Sequence, residues 1–116
     1  MKLPHREKAY IPAAKVRDYL LAEAHSDGSS KAKLLRALGH DERTIDILTA
    51  NLLDIAYSED VNKIIPTGHG VKYLIDGPVQ TPSGVVIHFR TVWIIDTGQD
   101  RPRFVTGYPI GLKENV

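Results

Sequence analysis

The chain has no cysteine. That absence excludes disulfides, thiolate zinc sites and cysteine nucleophiles at once, and it suits a reducing compartment. Long apolar runs are missing too: nothing approaches the ~20 residues of a membrane-spanning helix, so no membrane association is expected. The first residues, MKLPHREKAY, hold no apolar run; no signal peptide is expected, and the expected location is the cytoplasm. His5, His25, His40, His69 and His88 show no HxxxH spacing, so no metal is expected. Dinucleotide fingerprints, Walker loops and Gly-x-Ser-x-Gly elbows are absent, and no cofactor is expected. The stretches that read as strands contain no glutamate, and their aspartates, Asp76 and Asp96, stand at strand ends. A pair of catalytic carboxylates is therefore not expected.

What is present is an ordinary globular composition, 42% hydrophobic and 25% charged over 116 residues, enough for one domain with a real core. Net charge is +1 but unevenly spread. Residues 1–40 carry eight Lys/Arg against four Asp/Glu (+4), residues 41–62 one against six (−5), and residues 63–116 six against four (+2). The plain reading is one acidic helix on a mildly basic body. The functional reading is a basic face for a phosphate ligand with an acidic face away from it.

In order, 1–10 reads as an extended polar arm. Pro12 suits a first helical position, and Val16, Tyr19 and Leu20 recur at helical spacing, which predicts a helix over 12–22. HSDGSS (25–30) is a loop by composition, with Ser29 or Ser30 capping a helix over 31–38 that Gly39 ends. Asp41 caps a third helix over 42–57, with Ile45, Leu48, Leu52 and Ile55 inward and Glu42, Arg43, Asp46, Asn51 and Asp54 outward. Strands follow at 61–67, 71–81 (bent or ended at Gly77-Pro78), 85–96 and 103–108, joined by short turns that predict an antiparallel meander. Residues 61–109 form the sheet and 110–116 a tail. The expected fold is α+β in a single domain, with three N-terminal helices over 12–57 packed on one face of a four-stranded antiparallel meander.

Alternation along the third strand divides it. Val85, Ile87, Phe89, Thr91, Trp93 and Ile95 form the core set; Val86, His88, Arg90, Val92, Ile94 and Asp96 face the other way. In the fourth strand Phe104, Thr106 and Tyr108 share one face, and the pattern leaves open which face that is.

Two groups of residues could carry chemistry. Lys31 and Lys33 stand in a helix's first turn, where cations oppose the macrodipole, and His25 lies just upstream; together they make a candidate phosphate cluster. The plainer reading is solvated surface lysines and a loop histidine. Arg90 suits bidentate contact with phosphate, and His88 beside it can act as acid or base. The plainer reading there is a polar face with cross-strand ion pairs, to Asp76 or Asp96. Thr91, Thr106, Tyr73 and Tyr108 have hydroxyls that could touch a phosphate or a base, but such residues are also simply good strand formers.

Two motifs carry a resemblance: HSDGSSKA (25–32) after DYLL (18–21), and RTVWIID-x-G-x-D-x-PR-x-VT-x-YP (90–109), with Lys72, Tyr73 and Gly77 between them. Over residues 3–109 the chain resembles an uncharacterised bacterial domain-of-unknown-function family of small proteins, departing from it at Leu34-Leu35, where aromatic residues are common. That family looks like a relative of the barnase/EndoU/colicin/RelE group of ribonuclease toxins. The resemblance implies helices followed by a four-stranded antiparallel sheet, a metal-independent RNA endonuclease working on the open sheet face, and a small cognate antitoxin-like or immunity partner. Under it, His25 or His88 would be acid or base, and Lys31 and Arg90 would clamp the phosphate. Thr91 or Thr106 would position it, Tyr73 or Tyr108 would stack on a base, and Lys33 and Lys72 would bind the RNA backbone. The alternatives are a non-catalytic protein-interaction module (a degenerate relative or the neutralising partner) and an enzyme on a smaller phosphate-bearing molecule.

Overall fold

The computed structural model describes residues 1–15 and 36–112. Among them stand one full α-helix, α1 (Ile45–Ser58), and four strands: β1 (Lys63–Pro66), β2 (Gly70–Gln80), β3 (Val86–Asp96) and β4 (Arg103–Leu112). The strands pair antiparallel in sequence order, so the expected meander is present. The expectation of three helices is corrected to one among the described residues. Most of the predicted helices at 12–22 and 31–38 falls outside them. No described helix is long and apolar enough to cross a membrane.

The helix begins as the sequence predicts. The Asp41 carboxylate accepts from the Arg43 N–H, and the Thr44 hydroxyl accepts from the Asp41 N–H, a reciprocal cap that tightens residues 42–44 into a 3-10 turn before α1 opens. Leu48, Leu52, Ile55 and Ala56 are buried against the sheet. The helix has no cation in its own last turn. The N-terminal arm supplies them: Arg6 donates to the Tyr57 carbonyl and Lys2 to the Ser58 carbonyl, where positive charge suits the helix dipole. The arm is thus no loose surface segment. Leu3 is 2% exposed within the core, and Tyr10 bridges in parallel to Arg103 on β4.

The strand bounds differ from the sequence reading at prolines and glycines. β2 runs straight through Gly77-Pro78. Gly77 is required because α1 lies on it: a Cβ there would come within 2.9 Å of Ile55. Pro78 is tolerated because β1 pairs only with Val71–Leu74, so no ladder bond is lost. Beyond β1, the Asp76 N–H donates to the Asn62 side chain and the Gln80 N–H to the Asn51 side chain. Pro109 does not end β4 either. The register shifts there, pairing Phe89 with Pro109 and His88 with Gly111, and β4 continues into the predicted tail.

A second shift decides the faces of β4. Val92 pairs with Thr106 but Trp93 with Phe104, leaving Val105 as the extra residue. Phe104 therefore joins Gly107 on the α1 side, while Thr106 and Tyr108 take the other side; the expectation that all three share a face is corrected. Trp93 and Phe104 meet edge to face at 5.2 Å. The core unites Leu48, Leu52, Ile55, Tyr73, Ile75, Val79, Ile87, Phe89, Trp93 and Phe104. One histidine lies inside: His40, 1% exposed, contacts the Thr44 hydroxyl at 3.0 Å and the Gln80 carbonyl at 3.3 Å, tying the start of α1 to the end of β2. Burial pushes its pKa below the usual histidine value.

Candidate functional site

Residues opposite one another on neighbouring strands share a sheet face, so the register lays out the face away from α1 as rows. One row reads Pro78, His88, Gly111 and the next Asp76, Arg90, Tyr108. Then come Lys63, Leu74, Val92, Thr106 and Ile65, Lys72, Ile94, Arg103. Asp96 sits at the end of β3 on the same side. The face thus carries Lys63, Lys72, Arg90, Arg103 and His88 against Asp76 and Asp96. No described helix packs on it, yet Val92 and Ile94 are only 9% and 4% exposed.

The centre of the face is an ion pair. Arg90 Nε and Nη2 donate to the two Asp76 carboxylate oxygens at 2.7 and 2.8 Å. The Asp76 side chain is 13% exposed and that of Arg90 34%. The hydrogen-bonded Asp76 carboxylate, then its charge, and with them Tyr108, push the Arg90 pKa further up, so the guanidinium stays charged. Near the far end Arg103 contacts Asp96 at 3.2 Å. The plainer sequence reading, cross-strand ion pairing of Arg90 to Asp76, is what the structure contains.

Of the residues singled out in the sequence, the register brings His88, Arg90, Thr106 and Tyr108 into three adjacent rows, each about 7 Å from the next. Lys72 lies two rows from Arg90, roughly 14 Å along the strands. Thr91 and Tyr73 point the other way. Thr91 is fully buried; its hydroxyl donates to the Ile75 carbonyl at 2.7 Å and accepts from Trp93 Nε1 at 2.8 Å. Tyr73 packs in the core. His25, Lys31 and Lys33 lie outside the described residues. Sequence reasoning did not single out Lys63 and Arg103 as part of this face. Period-two alternation could have found Lys63; Arg103 needed the bulge at Val105. Among the described residues no three His, Asp or Glu gather as a metal site.

A second surface lies on the outer side of α1. Ile47 and Tyr57 are about half exposed, and two shallow grooves run beside them, sharing Ala50 and Asp54. Asp46, Asp54 and Glu7 make this side acidic, and Arg6 stacks on the Tyr57 ring at 4.5 Å.

The family model of DUF6883, a domain of unknown function, matches residues 2–111. Among solved structures, the chain is similar to a chain of a contact-dependent growth inhibition toxin–immunity protein complex from Klebsiella pneumoniae 342. The TM-score is 0.71 at 19% sequence identity, over 90% of this chain and 96% of that one. At that identity the likeness shows a shared fold. No curated protein matches the chain.

Proposed function

The chain belongs to the DUF6883 family, and from that premise we propose that it is the toxin half of a bacterial toxin–immunity pair, acting in the cytoplasm as a metal-independent RNA endonuclease. The observation that carries this reading is the sheet face away from α1, where Lys63, Lys72, Arg90 and Arg103 share three adjacent rows with Thr106 and Tyr108, and His88 lies in the next row beyond Arg90. A row of cations spaced along a sheet suits a single RNA strand, whose phosphates supply most of the affinity. The likeness to a chain from a toxin–immunity complex, and the resemblance of the motifs to ribonuclease toxins, point the same way.

The reaction that fits these side chains is attack of an RNA 2′-oxygen on the adjacent phosphorus. The 2′-hydroxyl loses its proton to a base, the bond to the 5′-oxygen breaks, and that oxygen leaves with a proton from an acid. The products are a 2′,3′-cyclic phosphate and a 5′-hydroxyl. His88 and His25 are the candidate acid and base. Arg90 and Lys31 would hold the negative charge that develops on the phosphorane. Thr106 would place the phosphate, and Tyr108 would take a base on its ring.

Induced expression should arrest bacterial growth, and purified protein should cut RNA in excess EDTA to cyclic-phosphate ends. Arg90→Ala or Lys31→Ala should relieve the arrest while the protein stays folded. Harmless wild-type expression together with intact RNA overturns the reading.

A second reading, a non-catalytic interaction module of the same kind of pair, rests on one observation: Arg90 is already held by Asp76 at both carboxylate oxygens. The exposed Ile47 and Tyr57 on acidic α1 would then be the contact surface. Wild-type protein that binds a partner through Ile47 and Tyr57 but leaves RNA uncut favours it.

A further inference from the structure

Asp76 stands at the centre of this face and the toxin reading does not use it, yet its geometry asks for a role. A guanidinium has five N–H donors in a fixed plane. Asp76 takes two of them, on Nε and Nη2, with both of its oxygens. Tyr108 lies opposite Arg90 on the neighbouring strand, β4. Three donors then remain, and a phosphate accepts two side by side. Nη1 makes no contact with Asp76. The backbone that carries the carboxylate is fixed: the Asp76 main-chain N–H donates to the Asn62 side chain, and the neighbouring Gly77 lies under α1. Asp76 is the more deeply set partner and Arg90 the more exposed one. A flexible arginine on a flat sheet sweeps many rotamers; this one is pinned by two hydrogen bonds to its partner in the same register row.

We propose that Asp76 is a positioning residue, which holds Arg90 by its inner edge so that the outer edge meets a backbone phosphate of the RNA. The proposal rests on the ribonuclease reading. It makes Asp76 useful in spite of its charge. As a lone carboxylate it repels phosphate, so removing that charge alone should strengthen RNA binding. As a positioning group its loss should slow cleavage, because a clamp displaced by about 1 Å costs on the order of 100-fold in rate.

Two proteins test this against wild type: Asp76→Asn and the exchanged pair Asp76→Arg/Arg90→Asp. The exchanged pair restores the cross-strand bond but moves the guanidinium one strand over, about 4.8 Å. Thermal unfolding, RNA affinity as a function of salt, and single-turnover cleavage in EDTA are read for each. Asp76→Asn should bind RNA as tightly as wild type or more tightly, yet cleave about 100-fold more slowly. The exchanged pair should recover wild-type unfolding temperature and still cleave as slowly as Asp76→Asn. Asp76→Asn cleaving at the wild-type rate, or the exchanged pair recovering cleavage along with stability, overturns the positioning role while leaving the ribonuclease reading intact. Wild-type protein that cuts no RNA overturns both.

Discussion

The two faces of β3 treat their polar groups in opposite ways. On the α1 side, Thr91 and Trp93 close on each other and on the Ile75 carbonyl, with nothing left over. No buried side-chain polar atom among the described residues lacks a partner. On the far side, one residue away, Arg90 is bonded to Asp76 but keeps donors to spare, and both groups touch solvent. A closed network contributes uniqueness and stability. One that is only partly used contributes little to stability at the surface, and is where a charged ligand can be recognised. The same eleven-residue strand thus separates a closed core face from one with hydrogen-bond donors to spare by its period of two.

The largest break in that contrast should come from the core side. Phe89→Ala should cost about 3–5 kcal/mol in denaturant unfolding, because the ring is fully buried and packs against Gly107. Thr91→Val keeps the shape but orphans the Trp93 N–H, so a loss of about 1–3 kcal/mol is expected by the same measurement. A value near zero would mean that water or another acceptor reaches the indole.

The pH dependence should sharpen the contrast next. His40 is harder to protonate folded than unfolded, since burial lowers its pKa from 6.5. The unfolded chain therefore takes the proton first as pH falls. Stability should be complete above pH 6.5, fall as pH drops below it, and level off below the folded-state pKa. Unfolding temperatures from pH 8 to pH 5 check this, and His40→Asn should remove the slope in that window. The smallest effect on stability belongs to Lys72→Ala and Lys63→Ala. They should leave unfolding unchanged and, if RNA binds there, each lower the salt dependence of binding by about one ion. A clear loss of stability in either would erase the distinction between the faces.

Much of this was legible in the residues, and the exceptions have physical causes. The meander, the Asp41 cap, the Leu48/Leu52/Ile55 stripe and the two faces of β3 follow from short-range periodicity. The bulge at Val105 does not, because it depends on how β4 meets β3; it alone sends Phe104 inward and Arg103 outward. Pro78 and Pro109 read as strand ends in isolation, and only the absence of a partner strand or a register shift makes them acceptable. The polar-looking arm hid Leu3, since one apolar residue has no period. For the candidate site, the sequence singled out the even residues of β3 and named Asp76 as a possible ion-pair partner. It also credited Thr91 and Tyr73 with ligand contacts, although alternation had already put Thr91 with the core.

The side chains of Asn62 and Asn51 have a consequence for how this molecule behaves in company. A sheet border with free amide hydrogens invites a strand from another molecule, and from there aggregation or swapping. Along residues 76–80, past the end of β1, two outward amides are taken by those asparagines and the third position is a proline that has none. An incoming strand would find no hydrogen to accept on that stretch. The sheet can stay short on this side without being sticky, and a concentrated solution of the protein should remain free of strand-mediated oligomers there. Replacing Pro78 by alanine and both asparagines by alanine would remove that protection.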